Sequence, residues 1–223
     1  MYNLGVIGGM GSLATAEYFR KLVTSSSAKS DSDHINVIIL NHATLPDRSE
    51  CILNNTPEKF LDCIKSDFEI LNNAKVNAIA IPCNTSHYYY NNFLDFTNIP
   101  VINMVEKTIL AVKSSNFSKA CVFGTKGTLS SKIYNRYANE HGIELVNLPS
   151  DIQNEVMKII YDIKENGDVT SNSFNEILSN YCDEETIGII ACTELSLIPI
   201  TSEVKTIDAL DVLVRESLKY NIK

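Results

Sequence analysis

Two short segments carry the residues best suited to chemistry: Ala80-Ile81-Pro82-Cys83-Asn84-Thr85 and Ile190-Ala191-Cys192-Thr193-Glu194. In each, an apolar run ends in a cysteine, followed at once by a side chain that can donate a hydrogen bond. A thiol at a strand end, facing a turn of free backbone N–H groups, can have its pKa lowered from about 8.5 toward neutrality. Asn84, Thr85, Thr125 and Thr193 add neutral donors at such turns. Together they form a cradle for a carboxylate, because converging N–H groups suit anions. One thiolate can then remove a proton while the other thiol returns one from the opposite face, which is what inversion of a stereocentre requires. The remaining cysteines lack this position. Cys121 lies inside a strand, Cys63 within a helix, and Cys51 and Cys182 in loops or at helix ends, so they read as small buried hydrophobes.

The elements that must position these residues alternate regularly. Short Ile/Val/Ala-rich runs at 4–7, 35–40, 76–81, 101–102, 120–123, 144–146, 187–191 and 204–207 read as strands. Between them run helical stripes: Leu13, Ala16, Phe19, Leu22 and Val23; Phe60, Leu61, Ile64, Phe68 and Leu71, opened by Thr56 and Pro57; and Ile152, Val156, Ile159, Ile160 and Ile163, stopped at Gly167. Strands alternating with helices predict an α/β fold with mostly parallel sheet. A glycine-rich turn after a strand occurs at 5–11 and again at 122–128. From Gly8 to Cys83 is 75 positions and from Gly124 to Cys192 is 68. This echo predicts two pseudo-symmetric lobes, each a mostly parallel sheet flanked by helices: 1–100 plus 208–223, and 101–207, with a hinge near Pro100. Ligands bind beyond the carboxyl ends of parallel strands, so Cys83 and Cys192 are expected to face one cleft between the lobes.

Composition excludes several classes. The net charge is −8 with scattered Lys and Arg, which gives no basic field for nucleic acid or an anionic membrane. The N-terminus runs straight into a strand, and no apolar run approaches the roughly 18 residues of a membrane span; a cytoplasmic location is expected. None of the six cysteines forms C-x-x-C or a zinc spacing with a histidine, so reduced thiols and no metal are expected. Residues 9–14 do fit G-x-G-x-x-A, a dinucleotide signature that is weak alone. The second strand, however, continues into Asn41 and His42 where a ribose-binding acid is needed, and the cysteine turns stay unexplained.

GVIGGMGSLAT at the N-terminus, LPDRS at 45–49, PCNTSH at 82–87, FGTKGT at 123–128 and ACTEL at 191–195 together resemble the aspartate/glutamate racemase superfamily, closest to its aspartate racemase branch. The resemblance spans almost the whole chain. It implies an isomerase that needs no cofactor, with Cys83 and Cys192 as its two catalytic bases and with Asn84, Thr85, Thr125 and Thr193 holding the α-carboxylate. It also implies that Arg48 reaches a side-chain carboxylate, where a bidentate fork would suit it, and that Lys164 is a second cation at the site. A small dicarboxylic amino acid is the implied substrate and a homodimer the implied assembly. Two departures stand out: Ser12 occupies a position that is often proline, and the first turn lacks the Asp-Ser pair of glutamate racemase proper, which favours the aspartate branch. Glu194 reads as a partner for the substrate ammonium or as a helix-start acid, and His87 as a core or supporting group. Rival readings are a sibling enzyme (maleate isomerase, hydantoin racemase or arylmalonate decarboxylase) and a non-catalytic protein that binds small acids.

Overall fold

The computed structural model describes residues 2–167, 169, 172–201 and 203–221; Met1, Ile222 and Lys223, at the limits of the expected first lobe, lie outside the described residues. The first part of the chain contains β1 (Leu4–Gly8), α1 (Ser12–Thr24), β2 (Val37–Asn41), α2 (Arg48–Leu53), α3 (Pro57–Ala74), β3 (Ala78–Ala80), α4 (Tyr90–Phe96) and α5 (Met104–Ser114). Then follow β4 (Lys119–Phe123), α6 (Lys126–Ser130), α7 (Ile133–His141), β5 (Glu144–Val146), α8 (Ser150–Asn166), α9 (Ser173–Tyr181), β6 (Thr186–Ile190), β7 (Thr206–Asp208) and α10 (Ala209–Leu218).

The strands form two sheets, ordered β2-β1-β3 and β5-β4-β6-β7, and every pairing between named strands is parallel. The second sheet repeats the first: β4 corresponds to β1, β5 to β2 and β6 to β3. Each sheet is covered on both faces. Leu4 and Val6 of β1 pack with Tyr18, Leu22, Leu210 and Leu213, while Ile7 and Ile79 pack with Phe60, Ile64, Phe68 and Leu71. Two covered faces explain why these strands are continuous apolar runs rather than alternating ones. Helix α10 directly follows β7 of the second sheet yet buries Ala209, Leu210, Leu213 and Val214 in a cluster of the first. Helix α5 is shared: Met104 joins the first sheet's cluster and Val105, Ile109 and Val112 join the second's.

Two elements differ from the sequence pattern. The run at 101–102 is no strand; Val101 makes a single parallel bridge to Ile79. Pro100 accepts from the Ile79 N–H at 2.9 Å, and Ile102 donates to the Ile79 carbonyl at 2.9 Å, but proline has no N–H with which to extend the ladder. In α1 the buried residues are Ala14, Thr15, Tyr18 and Leu22, whereas Leu13, Phe19 and Val23 are exposed. The amphipathic stripe is rotated because Tyr18 finds a partner in the core: its hydroxyl donates to Ser217 Oγ of α10 at 2.6 Å, so its ring can be fully buried.

The rotated stripe sets a stability difference between adjacent aromatics. Tyr18→Ala should cost about 3–5 kcal/mol and Phe19→Ala less than about 1 kcal/mol, read from urea denaturation midpoints. Equal losses would contradict this packing.

Candidate active site

The turn after β1 shows what the glycine-rich segment does. Gly9 has φ +88°, and a Cβ there would lie 2.4 Å from the backbone of His42, so the position requires glycine. The Gly9 N–H donates to Thr15 Oγ1 at 2.9 Å, and the Thr15 hydroxyl donates to the Gly11 carbonyl at 2.9 Å. The turn thereby presents the Met10 carbonyl to Arg48, whose Nη2 donates to it at 3.3 Å. This use of the turn does not call on a dinucleotide phosphate.

Arg48 opens α2 behind Asp47, which caps the helix by accepting from the Glu50 N–H at 2.9 Å. Its Nη1 donates to Pro46 O at 3.0 Å and Leu45 O at 3.5 Å. The side chain is buried, its Nε has no partner, and Arg48 forms no ion pair among the described residues. Nη1 and Nη2 make these three contacts, and the Nε–H edge of the guanidinium is left without a partner. A buried cation without a counter-ion is costly, so that edge is suited to an incoming anion.

Cys83 lies three residues past β3. Its carbonyl accepts from the Ser86 hydroxyl at 2.8 Å and sits 2.8 Å from His87 Nδ1. His87 Nε2 accepts from the Met104 N–H at 3.2 Å, which makes Nδ1 the protonated nitrogen and donor to Cys83. Burial pushes the His87 pKa down, in keeping with a neutral ring. His87 therefore staples the Cys83 turn to the start of α5.

Asn84 accepts from the Tyr134 hydroxyl at 2.6 Å through Oδ1, and its buried Nδ2 has no partner. Thr85, Thr125 and Thr128 hydroxyls lie 2.9–3.1 Å apart in a buried triangle, and Ser49 donates to Thr125 at 3.4 Å. Helix α2 approaches α6 closely here: a Cβ on Gly127 would lie 2.6 Å from Ser49 Oγ. Thr125 also caps α6, accepting from the Thr128 N–H at 3.1 Å.

Cys192 lies two residues past β6 and is buried; its Sγ donates to Glu194 Oε2 at 3.0 Å. Burial first, and the Glu194 carboxylate second, push the Cys192 thiol well up, while Lys164 opposes them. Thr193, also buried, sits 3.4 Å from the same carboxylate oxygen. Lys164, in the last turn of α8, lies 5.4 Å over the Tyr161 ring. Its ammonium is raised in pKa: burial opposes the charge, but Glu194 and then Cys192 favour it. The lysine as a whole is exposed, yet its charge interacts with those of Glu194 and Cys192.

All eight residues singled out in the sequence (Arg48, Cys83, Asn84, Thr85, Thr125, Lys164, Cys192 and Thr193) line one cavity. Asp47, Ser49 and Glu194 line it too; the first two flank Arg48 in LPDRS, but neither residue type alone marks a site. The space inside is about 10 Å³, room for about one water. On its outer side Met10, Asp47, Arg48, Lys164 and Glu194 also line an open cavity of about 480 Å³. These five residues are the partition between the two. No cluster of three or more possible metal ligands occurs among the described residues, and no helix among them is long and apolar enough to cross a membrane.

The sequence model of the Asp/Glu/Hydantoin racemase family matches residues 7–217. The chain belongs to that family. A broad specificity amino-acid racemase of Bacillus subtilis is 26% identical over 223 residues, 96% of each chain. Picrophilus torridus aspartate racemase is 28% identical with a TM-score of 0.86, covering 99% of this chain and 94% of that one. An aspartate racemase homologue from Pyrococcus horikoshii OT3, 20% identical with a TM-score of 0.78, shares the fold over 99% of both chains. The enzyme is thus an isomerase, an amino-acid racemase with the two-sheet α/β architecture of these relatives.

Because the Glu194 carboxylate raises the Cys192 pKa in this racemase, Glu194→Gln should let Cys192 ionise at lower pH. Thiolate absorbance in the ultraviolet, taken as a difference against Cys192→Ser in each background, measures the midpoint. An unchanged or higher midpoint would contradict the contact.

Proposed function

We propose that this racemase interconverts L- and D-aspartate, with glutamate as a second candidate, by proton transfer at Cα between Cys83 and Cys192 and without metal or organic cofactor. The observation that carries the reading is the convergence of two thiols on one cavity from corresponding strand ends of two sheets built to one plan. A lobe of 1–100 plus 208–223 facing one of 101–207 would bring one thiol to each face of a substrate held between them. With Cys192 kept protonated by burial and Glu194, this form of the enzyme offers Cys192 as the acid and Cys83 as the base. Turnover leaves the roles exchanged, ready for the other enantiomer, and Lys164 then offsets the charge of a Cys192 thiolate beside Glu194.

Asn84 Nδ2 and Arg48 Nε are buried donors without partners on the cavity wall, which supports binding of two carboxylates. We assign the α-carboxylate to Asn84, Thr85, Thr125 and Thr193, and the side-chain carboxylate to the free edge of Arg48 with help from Lys164. The open cavity beyond Arg48 and Lys164 leaves space for longer side chains and supports a wider specificity as the second reading, as in the Bacillus subtilis relative named for it. Chiral analysis after incubation with aspartate, glutamate, maleate, a hydantoin and larger amino acids separates these readings from the sibling activities. A homodimer in the cytoplasm completes the proposal.

Cys83→Ala and Cys192→Ala should each abolish racemisation, while Cys51→Ala, Cys63→Ala, Cys121→Ala and Cys182→Ala retain it, all after dialysis against chelator. In heavy water the inverted product should carry deuterium at Cα, with little in unreacted substrate at early times. Near wild-type racemisation by either cavity variant would refute the two-thiol mechanism.

Arg48→Ala should lower kcat/KM for aspartate by a factor of roughly 30 to several thousand, the loss of a desolvated charge-assisted pair of about 2–5 kcal/mol. Arg48→Lys should recover little, because an ammonium has no planar edge. A change under about threefold in Arg48→Ala would place the arginine outside substrate recognition.

A further inference from the structure

We infer that Tyr134, a residue outside the cavity wall, is a positioning residue that orients the Asn84 amide and thereby makes carboxylate binding conditional on the docking of α7 against the Cys83 turn. This deepens the racemase reading and rests on it. An asparagine amide is nearly symmetric in shape but opposite in chemistry at its two ends. With Nδ2 toward the cavity Asn84 donates to an anion; reversed, it points a carbonyl oxygen at that anion and repels it. The neighbour that distinguishes the two states is the Tyr134 hydroxyl, 2.6 Å from Oδ1 and buried with it.

The phenol has one proton, and its destination follows from its surroundings. Thr108, the other hydroxyl beside it, is engaged with the Met104 carbonyl at 2.7 Å, and the hydrogen bond in which the phenol is the donor runs to Asn84 Oδ1. Burial pushes the Tyr134 pKa up, which keeps the ring protonated and able to donate. The proton given to Oδ1 leaves Nδ2 as the unpartnered donor on the cavity wall. Tyr134 belongs to α7 and packs with Val122, Ala138 and Ile189 in a cluster on the second sheet, whereas Asn84 follows β3 of the first sheet. The bond therefore crosses from one sheet's layer to the other's. Thr128 makes a parallel crossing, holding the Thr85 hydroxyl at 2.9 Å. If α7 draws away from the Cys83 turn, the amide loses its orientation and the site its affinity for the anion.

A double-mutant cycle tests this. Tyr134→Phe keeps the ring and removes the hydroxyl; it should raise KM for aspartate, and the inhibition constant of succinate, about tenfold, with kcat within about threefold. Asn84→Ala should raise both constants by at least as much. The double variant should be no worse than Asn84→Ala alone, since Tyr134 acts through Asn84. Near-ultraviolet circular dichroism confirms the fold of each variant. Should Tyr134→Phe misfold, Tyr134→Met in the same cycle takes its place, with succinate binding followed by calorimetry. Additive losses, or a fall in kcat at constant KM, would overturn the positioning role while leaving the racemase reading intact. If the wild-type enzyme exchanges no amino-acid α-proton at all, the racemase reading falls and this inference falls with it.

Discussion

The arrangement of the site depends on a guanidinium buried against main-chain carbonyls and engaged in no ion pair among the described residues. Taking a cation from water into a protein interior is unfavourable unless its donors are met, and here three carbonyls meet only part of the demand. Much of the first sheet's loop structure serves this contact. Gly9 allows the turn that aims Met10 at Nη2, Thr15 holds that turn from inside α1, and Asp47 starts α2 so that Arg48 leaves its first residue inward. The next turn of structure, at Ser49, meets α6 at Gly127, where any larger residue would force the layers apart. The arginine is thus held in place without being neutralised, and under the proposed function that is the preorganised state that makes charge recognition strong.

At the other end of the cavity the balance of charge differs. Cys192, Glu194 and Lys164 form a chain of donor, acceptor and counter-charge. A thiol beside a buried carboxylate stays protonated, and a thiolate there needs a cation near at hand. Lys164, on the same cavity wall and favoured by the charges of Glu194 and Cys192, is the cation on that side. The two ends of the proposed site therefore offer charge in different forms: a guanidinium held by carbonyls at Arg48, and a lysine ammonium at Lys164.

The sequence pattern made the architecture legible because parallel sheets covered on both faces leave a plain mark, unbroken Ile and Val runs separated by helical periods. The repeated order of glycine turn and cysteine likewise pointed to two sheets of one plan, since strand-end residues at matching positions must emerge on matching edges. What it could not convey was rotation and partnership. Leu13, Phe19 and Val23 looked like a core stripe, but one hydroxyl on Ser217, nearly 200 residues away in the chain, decides that Tyr18 faces inward. Thr85 and Thr125 were legible as donors at strand ends, yet their hydroxyls are engaged with one another and with Thr128. Glu194 was ambiguous for the same reason: its role lies in a 3.0 Å contact with Cys192 that adjacency in sequence permits without requiring.

These contacts also explain how so small a cavity can serve a whole amino acid. Room for a single water cannot hold the proposed substrate, aspartate, so the wall of Met10, Asp47, Arg48, Lys164 and Glu194 shared with the larger outer space would have to give way to admit it. Of these, Arg48 is tied to three carbonyls and Glu194 to Cys192, whereas Lys164 lies over the face of Tyr161 and is favoured by the charges of Glu194 and Cys192 with no ion pair among the described residues. If the proposed substrate enters from the outer space, it would pass this lysine rather than the guanidinium held by carbonyls.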